Sequence, residues 1–200
     1  MLRIALTGGI GCGKSTICQL FLSHNIPVID TDLISRELVE PGQPALEEIT
    51  TLFGKDILLD DGALNRKALS QIVFNSSEKR ILLESILHPK IRDSIEQELS
   101  KLHTPYVIIA VPLLIETNQQ SNYNRVLVVD CDEQMQINRT LSRDKRSIEE
   151  INSIIKTQAP RQLRLSYADD IINNSNNIES LNAQVDQLHN KYMKLASTMD

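Results

Sequence analysis

The chain has 200 residues, of which 41% are apolar and 24% are charged. This length fits one globular domain with insertions, and the composition is typical of a folded protein rather than a disordered or fibrous one. The formal net charge of −5 argues against a general nucleic-acid binder, which needs excess positive charge to displace counterions from phosphates. An anionic ligand must therefore be held by a local cluster of cations and N–H groups.

The sequence carries no signal for a membrane or for an oxidising compartment. No apolar stretch approaches the roughly 18 residues of a transmembrane helix, and the first residues lack the apolar core of a signal peptide. The three cysteines, Cys12, Cys18 and Cys131, contain no CxxC pair, so neither a disulfide framework nor a zinc site is predicted. We therefore expect a cytoplasmic protein with reduced thiols.

Short apolar runs that stop at glycines, acids or turn residues predict five strands, and helical patterns separate them. The predicted strands are Leu2–Thr7, Ile26–Ile29, Tyr106–Val111, Arg125–Val129 and Asp170–Ile172. Strands separated by helices require crossover connections. We therefore expect an α/β fold with a mostly parallel sheet and helices on both faces.

A long helical stretch lies between the second and third strands. Its predicted helices, after a shorter one at Leu33–Val39, are Pro44–Phe53, Arg66–Phe74, Glu78–Leu87 and Lys90–Leu102. A crossover needs far less, so we expect a helical insertion above the carboxyl ends of the strands, where ligands bind in open α/β sheets. A second helical insertion follows the fourth strand, and the capping-box spacing of Ser147 and Glu150 predicts a helix start within it.

The strongest signal is the run Gly8-Gly9-Ile10-Gly11-Cys12-Gly13-Lys14-Ser15, which matches the phosphate-binding pattern G-x-x-x-x-G-K-[ST]. It lies between a predicted strand and a predicted helix (Ser15–His24). The glycines let successive N–H groups point at phosphate oxygens, and the helix N-terminus adds partial positive charge. Lys14 is expected to reach the β- and γ-phosphates, and the Ser15 hydroxyl to ligate Mg²⁺. The run predicts an ATP site in a P-loop NTPase-type fold.

Two carboxylates, Asp30 and Asp32, follow the second predicted strand. A carboxylate there can orient an acceptor hydroxyl and take its proton during phosphoryl transfer, and Asp32 is the favoured candidate. Asp30 either shares this role or caps the next helix.

Cys12 fills a free position of the P-loop, either as a small filler or as a thiol whose pKa the helix N-terminus lowers, which would permit reversible oxidation.

Arg139 and Arg143 stand four residues apart in a predicted helix and therefore share a face. They form either a solvated surface or a lid that closes guanidinium groups onto phosphates and excludes water, and the P-loop favours the lid.

The third strand ends without the Walker-B aspartate of many P-loop ATPases, and no Asn-Lys-x-Asp guanine-reading sequence is present. These features favour a small-molecule phosphotransferase over a motor ATPase or a GTPase.

Further motifs follow one another along the chain. They are Thr7–Thr16, Asp30-x-Asp32, Asp61–Arg66, Leu87–Ile91, Pro112–Glu116, Arg139-x-x-x-Arg143, Gln158 and Ala168–Asn174. This set resembles the dephospho-coenzyme A kinase family over nearly the whole chain, from Leu2 to about Leu188. Two departures are Cys12, where the family more often has serine, and the segment Pro160–Arg164, which carries less charge than expected and leaves the number of lid arginines open.

The resemblance implies ATP-dependent phosphorylation of the ribose 3′-hydroxyl of dephospho-coenzyme A, which gives coenzyme A and ADP in the last step of coenzyme A biosynthesis. It implies one kinase domain with a nucleotide-binding core (about 1–55, 104–132 and 166–200), a helical coenzyme A-side insertion (about 56–103) and a lid (about 133–165). The implied ligands are ATP, Mg²⁺ and dephospho-coenzyme A. No nucleic acid, membrane or obligate protein partner is implied.

The resemblance also implies roles for residues by their positions. Asp32 would be the base, assisted in catalysis by Lys14 and Arg143, and Ser15 would be the metal ligand. Residues at the nucleotide would be Gly8, Gly9, Gly11, Cys12, Gly13, Lys14, Ser15, Thr16, Arg139, Arg143 and Asn174, the last near the adenine. Residues at the acceptor would be Thr7, Asp32, Arg66, His88, Pro89, Leu113 and Glu116. For His88 and Pro89 the alternative is that they only start a helix.

Two other functions remain open. Another P-loop nucleoside or small-molecule kinase would share the phosphate site and the lid but bind a shorter acceptor, and the long helical insertion argues against it. A nucleotide-dependent regulatory ATPase would transfer the phosphoryl group only to water. Labelled ATP and a panel of acceptors distinguish these functions.

Overall fold

The computed structural model describes residues 1–144, 146–175 and 177–198. The elements in chain order are β1 (Leu2–Gly8), α1 (Lys14–Ser23), β2 (Val28–Asp30), α2 (Thr31–Glu37), α3 (Pro44–Phe53), α4 (Arg66–Phe74), α5 (Ser77–Ser100), β3 (Tyr106–Ala110), β4 (Arg125–Asp130), α6 (Glu133–Arg143), α7 (Ile148–Thr157), α8 (Arg161–Ser166), β5 (Asp170–Asn173) and α9 (Ile178–Ala196). Short 3₁₀ turns lie at Lys55–Ile57 and Gln120–Asn122. None of the described helices combines the length and the apolarity that crossing a membrane requires.

The chain divides into two compact units, Met1–Asp30 with His103–Asp200 and Thr31–Leu102. The first unit holds a five-stranded sheet in the order β2-β3-β1-β4-β5, with every pair parallel. The predicted α/β fold is confirmed. The second strand begins at Val28 rather than Ile26, because the N–H of Ile26 bonds to Phe21 O and belongs to the turn that ends α1.

The core of the first unit lies between the sheet and the helices α1 and α9. Alternate residues of β1 face these helices, among them Ile4 and Leu6, and Phe21 and Tyr192 are fully buried against them. β1, β3 and β4 are buried along almost their whole length, which is why their sequences read as continuous apolar runs. Because all strands are parallel, the segments that follow them meet at one edge of the sheet.

The second unit is helical, and α2, α3 and α4 all pack against α5. Its buried cluster includes Val39, Ile49, Leu69 and Ile86. We expected the insertion to begin at about residue 56, whereas this unit begins at Thr31, because α2 and α3 pack on α5.

One prediction for this unit is wrong. Two helices were expected on either side of His88 and Pro89, but α5 is continuous and contains both residues. Proline removes one backbone hydrogen bond and disfavours a helix interior. Packing of three helices along α5 offsets that cost, since tertiary contacts supply most of the stability of helices in proteins. The alternative that His88 and Pro89 start a helix is therefore excluded.

Candidate active site

The predicted P-loop forms the turn between β1 and α1. Gly11 and Gly13 have φ angles of 71° and 89°, in the left-handed region that favours glycine. A Cβ atom on Gly13 would lie 2.2 Å from Asn174 Nδ2, so this position also lacks room for a side chain. The N-cap residue of α1 is Gly13, which has no side chain to cap the helix, and the N-terminus of α1 carries the partial positive charge that favours an anion.

Lys14 is the first residue of α1, and its side chain turns back over the start of the loop. Its Nζ donates to Gly8 O at 2.7 Å and to Gly9 O at 3.2 Å. The ammonium group is thus held at the end of β1, where it can exchange a carbonyl oxygen for a phosphate oxygen.

Two buried side chains near the carboxyl ends of strands hold the backbone around the loop. Asn174, which follows β5, is buried, and its Nδ2 donates to Cys12 O at 2.7 Å. Thr7 is fully buried, and its hydroxyl donates to Pro112 O at 3.4 Å, beyond the end of β3. Asn174 was expected near the adenine and Thr7 at the acceptor. In the structure both side chains bond to backbone carbonyls at the sheet edge.

The segment between α7 and α8 is bound to the P-loop. Gln158 Oε1 accepts a hydrogen bond from the N–H of Ile10 at 2.9 Å. Glu116 Oε1 accepts from the N–H of Ala159 at 2.7 Å, and Glu116 Oε2 is buried without a hydrogen-bond partner among the described residues. The sequence analysis names Gln158 only as part of a motif and predicts no contact for it. Because it is 148 residues away from Ile10, no local pattern could have indicated this bond.

The two predicted lid arginines lie on α6 but in different surroundings. Arg143 is exposed, and its guanidinium forms two hydrogen bonds with the Asp144 carboxylate at 2.8 and 2.9 Å. Arg139 is half-buried, and within the described part of the chain its buried Nη1 has no hydrogen-bond partner.

The capping box at Ser147 and Glu150 is present and starts α7 as predicted.

Sequence reasoning assigned no role to Arg164, an arginine that lies at the loop. Arg164, on α8, is 7% exposed, and its Nη1 donates to Ala159 O at 2.5 Å. A Cβ atom on Gly9 would lie 3.0 Å from Arg164 Nη2 and 2.9 Å from Gln136 Oε1. Glycine at this P-loop position therefore allows both side chains to reach the backbone.

Two of the cysteines also meet at this edge of the sheet. Cys131, directly after β4, donates from Sγ to Cys12 Sγ at 3.1 Å, and both residues are buried. This hydrogen bond and the charges of Lys14 and Arg164 lower the pKa of Cys12 to about 7, although burial opposes the change. The same contact, together with burial, raises the pKa of Cys131. The two thiols were not expected to be neighbours, since 119 residues separate them.

Two expected residues of the nucleotide site, Ser15 and Thr16, lie in the first turn of α1. The expected acceptor residue Leu113 follows β3. Ser15 and Thr16 are exposed, as their positions in the P-loop require for contact with a ligand. Leu113 is 48% exposed. All of these residues belong to the first unit.

The second unit holds the other expected acceptor residues. Asp32 is exposed in the first turn of α2, two residues beyond the end of β2. Arg66 is the first residue of α4 and donates from Nη2 to Arg36 O at 3.4 Å. It lines a cavity of about 270 Å³ whose other walls are mostly apolar, including Val39, Leu69 and Leu87. Half-buried His88 lies directly after Leu87 on α5.

The comparisons with known proteins agree with one another. The family model described as "CoaE: Dephospho-CoA kinase" matches residues 2–180. Dephospho-CoA kinase from Idiomarina loihiensis is 46% identical over 190 residues, which cover 95% of this chain and 94% of that protein.

Two solved structures are similar over nearly their full lengths. The crystal structure of TT1252 from Thermus thermophilus has a TM-score of 0.87 and 29% identity, covering 95% of this chain and 97% of that one. Dephospho-CoA kinase from Campylobacter jejuni has a TM-score of 0.70 and 28% identity, covering 96% and 97%. Together with the P-loop geometry, these matches show that the chain belongs to the dephospho-CoA kinase family and is a kinase of coenzyme A biosynthesis.

Proposed function

We propose that the chain binds ATP at its P-loop and transfers the γ-phosphoryl group to the ribose 3′-hydroxyl of dephospho-coenzyme A. The observation that carries this proposal is the P-loop itself, in which α1 starts after a glycine N-cap and the Lys14 ammonium lies over the Gly8 carbonyl. The N–H groups of the loop and of α1 would bind the phosphate oxygens. Lys14 would then stabilise the negative charge on the transferring group.

The donor set also fits Mg²⁺. This ion is usually held by one or two protein oxygens together with substrate phosphates, and the exposed Ser15 hydroxyl in the first turn of α1 supplies such an oxygen. When bound, Mg²⁺ would neutralise charge on the β- and γ-phosphates.

Asp32 is the proposed base. Its carboxylate would orient the 3′-hydroxyl and accept its proton as the hydroxyl oxygen bonds to the γ-phosphorus and the bond to ADP breaks. The exposure of Asp32 in the first turn of α2 supports this role, because the carboxylate must reach a ligand. The α6 arginines, Arg139 and Arg143, would close on the phosphates and exclude water.

Further side chains are proposed to contact the acceptor. Arg66 supplies a cation for a phosphate group beside a mostly apolar cavity, which suits the less polar part of a coenzyme A precursor. His88 and Pro89 would contribute from α5, and Leu113 and Glu116 from the segment after β3. For Thr7 the buried bond to Pro112 supports an indirect role, in which it positions that segment.

The experiment is mass spectrometry of the products from dephospho-coenzyme A, ATP and Mg²⁺. Wild-type protein should yield coenzyme A and ADP, and Lys14→Ala should lower turnover by orders of magnitude without unfolding the chain. Lys101→Ala is the control, because Lys101 is an exposed lysine paired with Glu98 at the end of α5. Phosphate released only to water would indicate a regulatory ATPase instead, and transfer to a different acceptor would indicate another small-molecule kinase.

A further inference from the structure

Arg164 stands out because its charge is buried. The side chain extends from α8 to the P-loop, where Nη2 lies against Gly9 and Nη1 bonds to the Ala159 carbonyl. Only 7% of the residue is exposed. One nitrogen is thus used for a backbone contact, and the rest of the guanidinium lies beside the phosphate-binding turn.

The second observation concerns the ion pairing of Arg164. Among residues 1–144, 146–175 and 177–198, no carboxylate oxygen lies within ion-pair distance of Arg164. The contrast on the same helix is Arg161, which binds both oxygens of Asp130 at 2.8 and 2.6 Å. Burying a cation without an anion is costly, so proteins rarely keep one unless an anion arrives with a ligand.

The surroundings of Arg164 point to the same conclusion. Gln136 Oε1, which also lies against Gly9, is buried without a hydrogen-bond partner in the described part of the chain. The positive charge of Arg164 acts on the P-loop residue Cys12, where it contributes to the lowered pKa of the thiol. The polar groups at this side of the P-loop are therefore arranged for a ligand that supplies both negative charge and hydrogen-bonding capacity.

We propose that Arg164 is a further residue of the ATP site, whose guanidinium pairs with a phosphate oxygen of the nucleotide held by the P-loop. The nucleotide supplies an anion where the described residues place no carboxylate, while the bond from Nη1 to Ala159 keeps the guanidinium plane in place. This inference rests on the proposed binding of ATP at the P-loop and adds a cation to it beyond Lys14 and the α6 arginines. Charge-assisted hydrogen bonds of this type are about twice as strong as neutral ones.

Two substitutions separate the charge from the backbone contact. Arg164→Gln keeps an N–H donor that can serve the Ala159 carbonyl but removes the charge, and Arg164→Lys keeps the charge. The control is Gln162→Glu, which lowers the net charge by the same amount at an exposed position of α8. The measurements are Kd for Mg²⁺–ATP by titration calorimetry, kcat for transfer, and Tm without nucleotide.

We expect Arg164→Gln to weaken ATP binding by about tenfold or more, with Tm of the nucleotide-free protein unchanged or higher, because an unpaired buried charge is gone. Arg164→Lys should recover part of the affinity, and Gln162→Glu should bind ATP as the wild type does. A Kd within threefold of the wild type in Arg164→Gln, with or without a lower Tm, would overturn the proposal and leave Arg164 with a structural role.

The same titrations keep this inference separate from the proposed function. If wild-type protein binds ATP but does not phosphorylate dephospho-coenzyme A, the acceptor assignment fails, and the Kd of Arg164→Gln still decides the role of Arg164. If wild-type protein makes coenzyme A and Arg164→Gln binds ATP normally, only the present inference fails.

Discussion

The side chain of Asn174 donates to the carbonyl oxygen of Cys12 at 2.7 Å, which joins the end of β5 to the middle of the P-loop. The same amide fills the space beside Gly13, where a Cβ atom would collide with it. The loop therefore keeps its shape through a contact with a strand two positions away in the sheet, as well as through its own glycines.

We predict that Asn174→Ala weakens ATP binding by roughly tenfold and lowers the free energy of unfolding by about 1–3 kcal/mol, because the buried Cys12 carbonyl loses its partner. Calorimetric titration of ATP and urea unfolding measure the two effects. Asn173→Ala is the matched control, since the Asn173 side chain lies at the surface and accepts from the Ser175 N–H. Unchanged ATP affinity in Asn174→Ala would show that the loop holds its shape without this contact.

The role of Asp32 can be separated from ATP binding. Asp32→Asn keeps the shape of the side chain but removes its charge and most of its basicity. General-base assistance is worth about 10² to 10⁴ in rate, so transfer to dephospho-coenzyme A should fall on that scale while ATP affinity stays near the wild-type value. Single-turnover transfer and ATP titration on the same variant provide the test.

Asp30→Asn is the comparison for that experiment, because Asp30 is also an exposed carboxylate but belongs to β2. If Asp32→Asn lost ATP affinity together with turnover, Asp32 would be arranging the metal. If only Asp30→Asn slowed the reaction, Asp30 would be the base.

The two arginines of α6 should differ in their contributions. Lysine keeps the charge of arginine but lacks its planar fork, so Arg139→Lys should lower kcat about tenfold or more if Arg139 closes on phosphates through paired hydrogen bonds. Arg143→Lys should also lower ATP use but by a smaller factor, because this exposed guanidinium must first leave Asp144. Steady-state kinetics with varied ATP compare them. A silent Arg143→Lys would make Arg143 a surface residue, and a silent Arg139→Lys would leave half-buried Arg139 with a structural role.

Asp170 stabilises the edge of the sheet at β5. Its buried carboxylate accepts hydrogen bonds from Arg125 Nε at 2.8 Å, from the Tyr192 hydroxyl at 3.0 Å and from Lys191 Nζ. Burial alone would raise the pKa of Asp170, but these partners outweigh it and lower the pKa below its ordinary value. We predict that Asp170→Asn lowers the free energy of unfolding by about 2–3 kcal/mol at pH 7, because half-buried Arg125 and exposed Lys191 lose a charged hydrogen-bond acceptor.

The pH dependence follows from the direction of that shift. Since the carboxyl has a lower pKa in the folded chain than in the unfolded chain, its contribution is complete above the unfolded value of about 4 and is lost as pH falls through the folded value. Urea unfolding at pH 7 and near pH 3 should therefore show a smaller difference between wild type and Asp170→Asn at the lower pH. An equal difference at both pH values would contradict the lowered pKa.

The sequence alone determined the features that depend on neighbours in the chain. The spacing of Gly8, Gly13 and Lys14 predicted the phosphate loop, because a turn between strand and helix is specified by a few consecutive residues. Apolar runs located the five strands to within about two residues, most directly for β1, β3 and β4, which are buried along almost their whole length. The capping box at Ser147 was likewise a local pattern that the structure contains.

The tertiary structure decided everything that joins distant parts of the chain. It made α5 one helix through Pro89 because other helices pack along it, and it grouped Thr31–Glu37 with the helical unit. It also brought Gln158 to Ile10 and placed the Arg164 guanidinium against Gly9. Such contacts form because parallel strands bring their carboxyl ends to one edge of the sheet. Whether a buried charge has an ion-pair partner depends on the side chains that the fold packs around it, and these are distant in sequence.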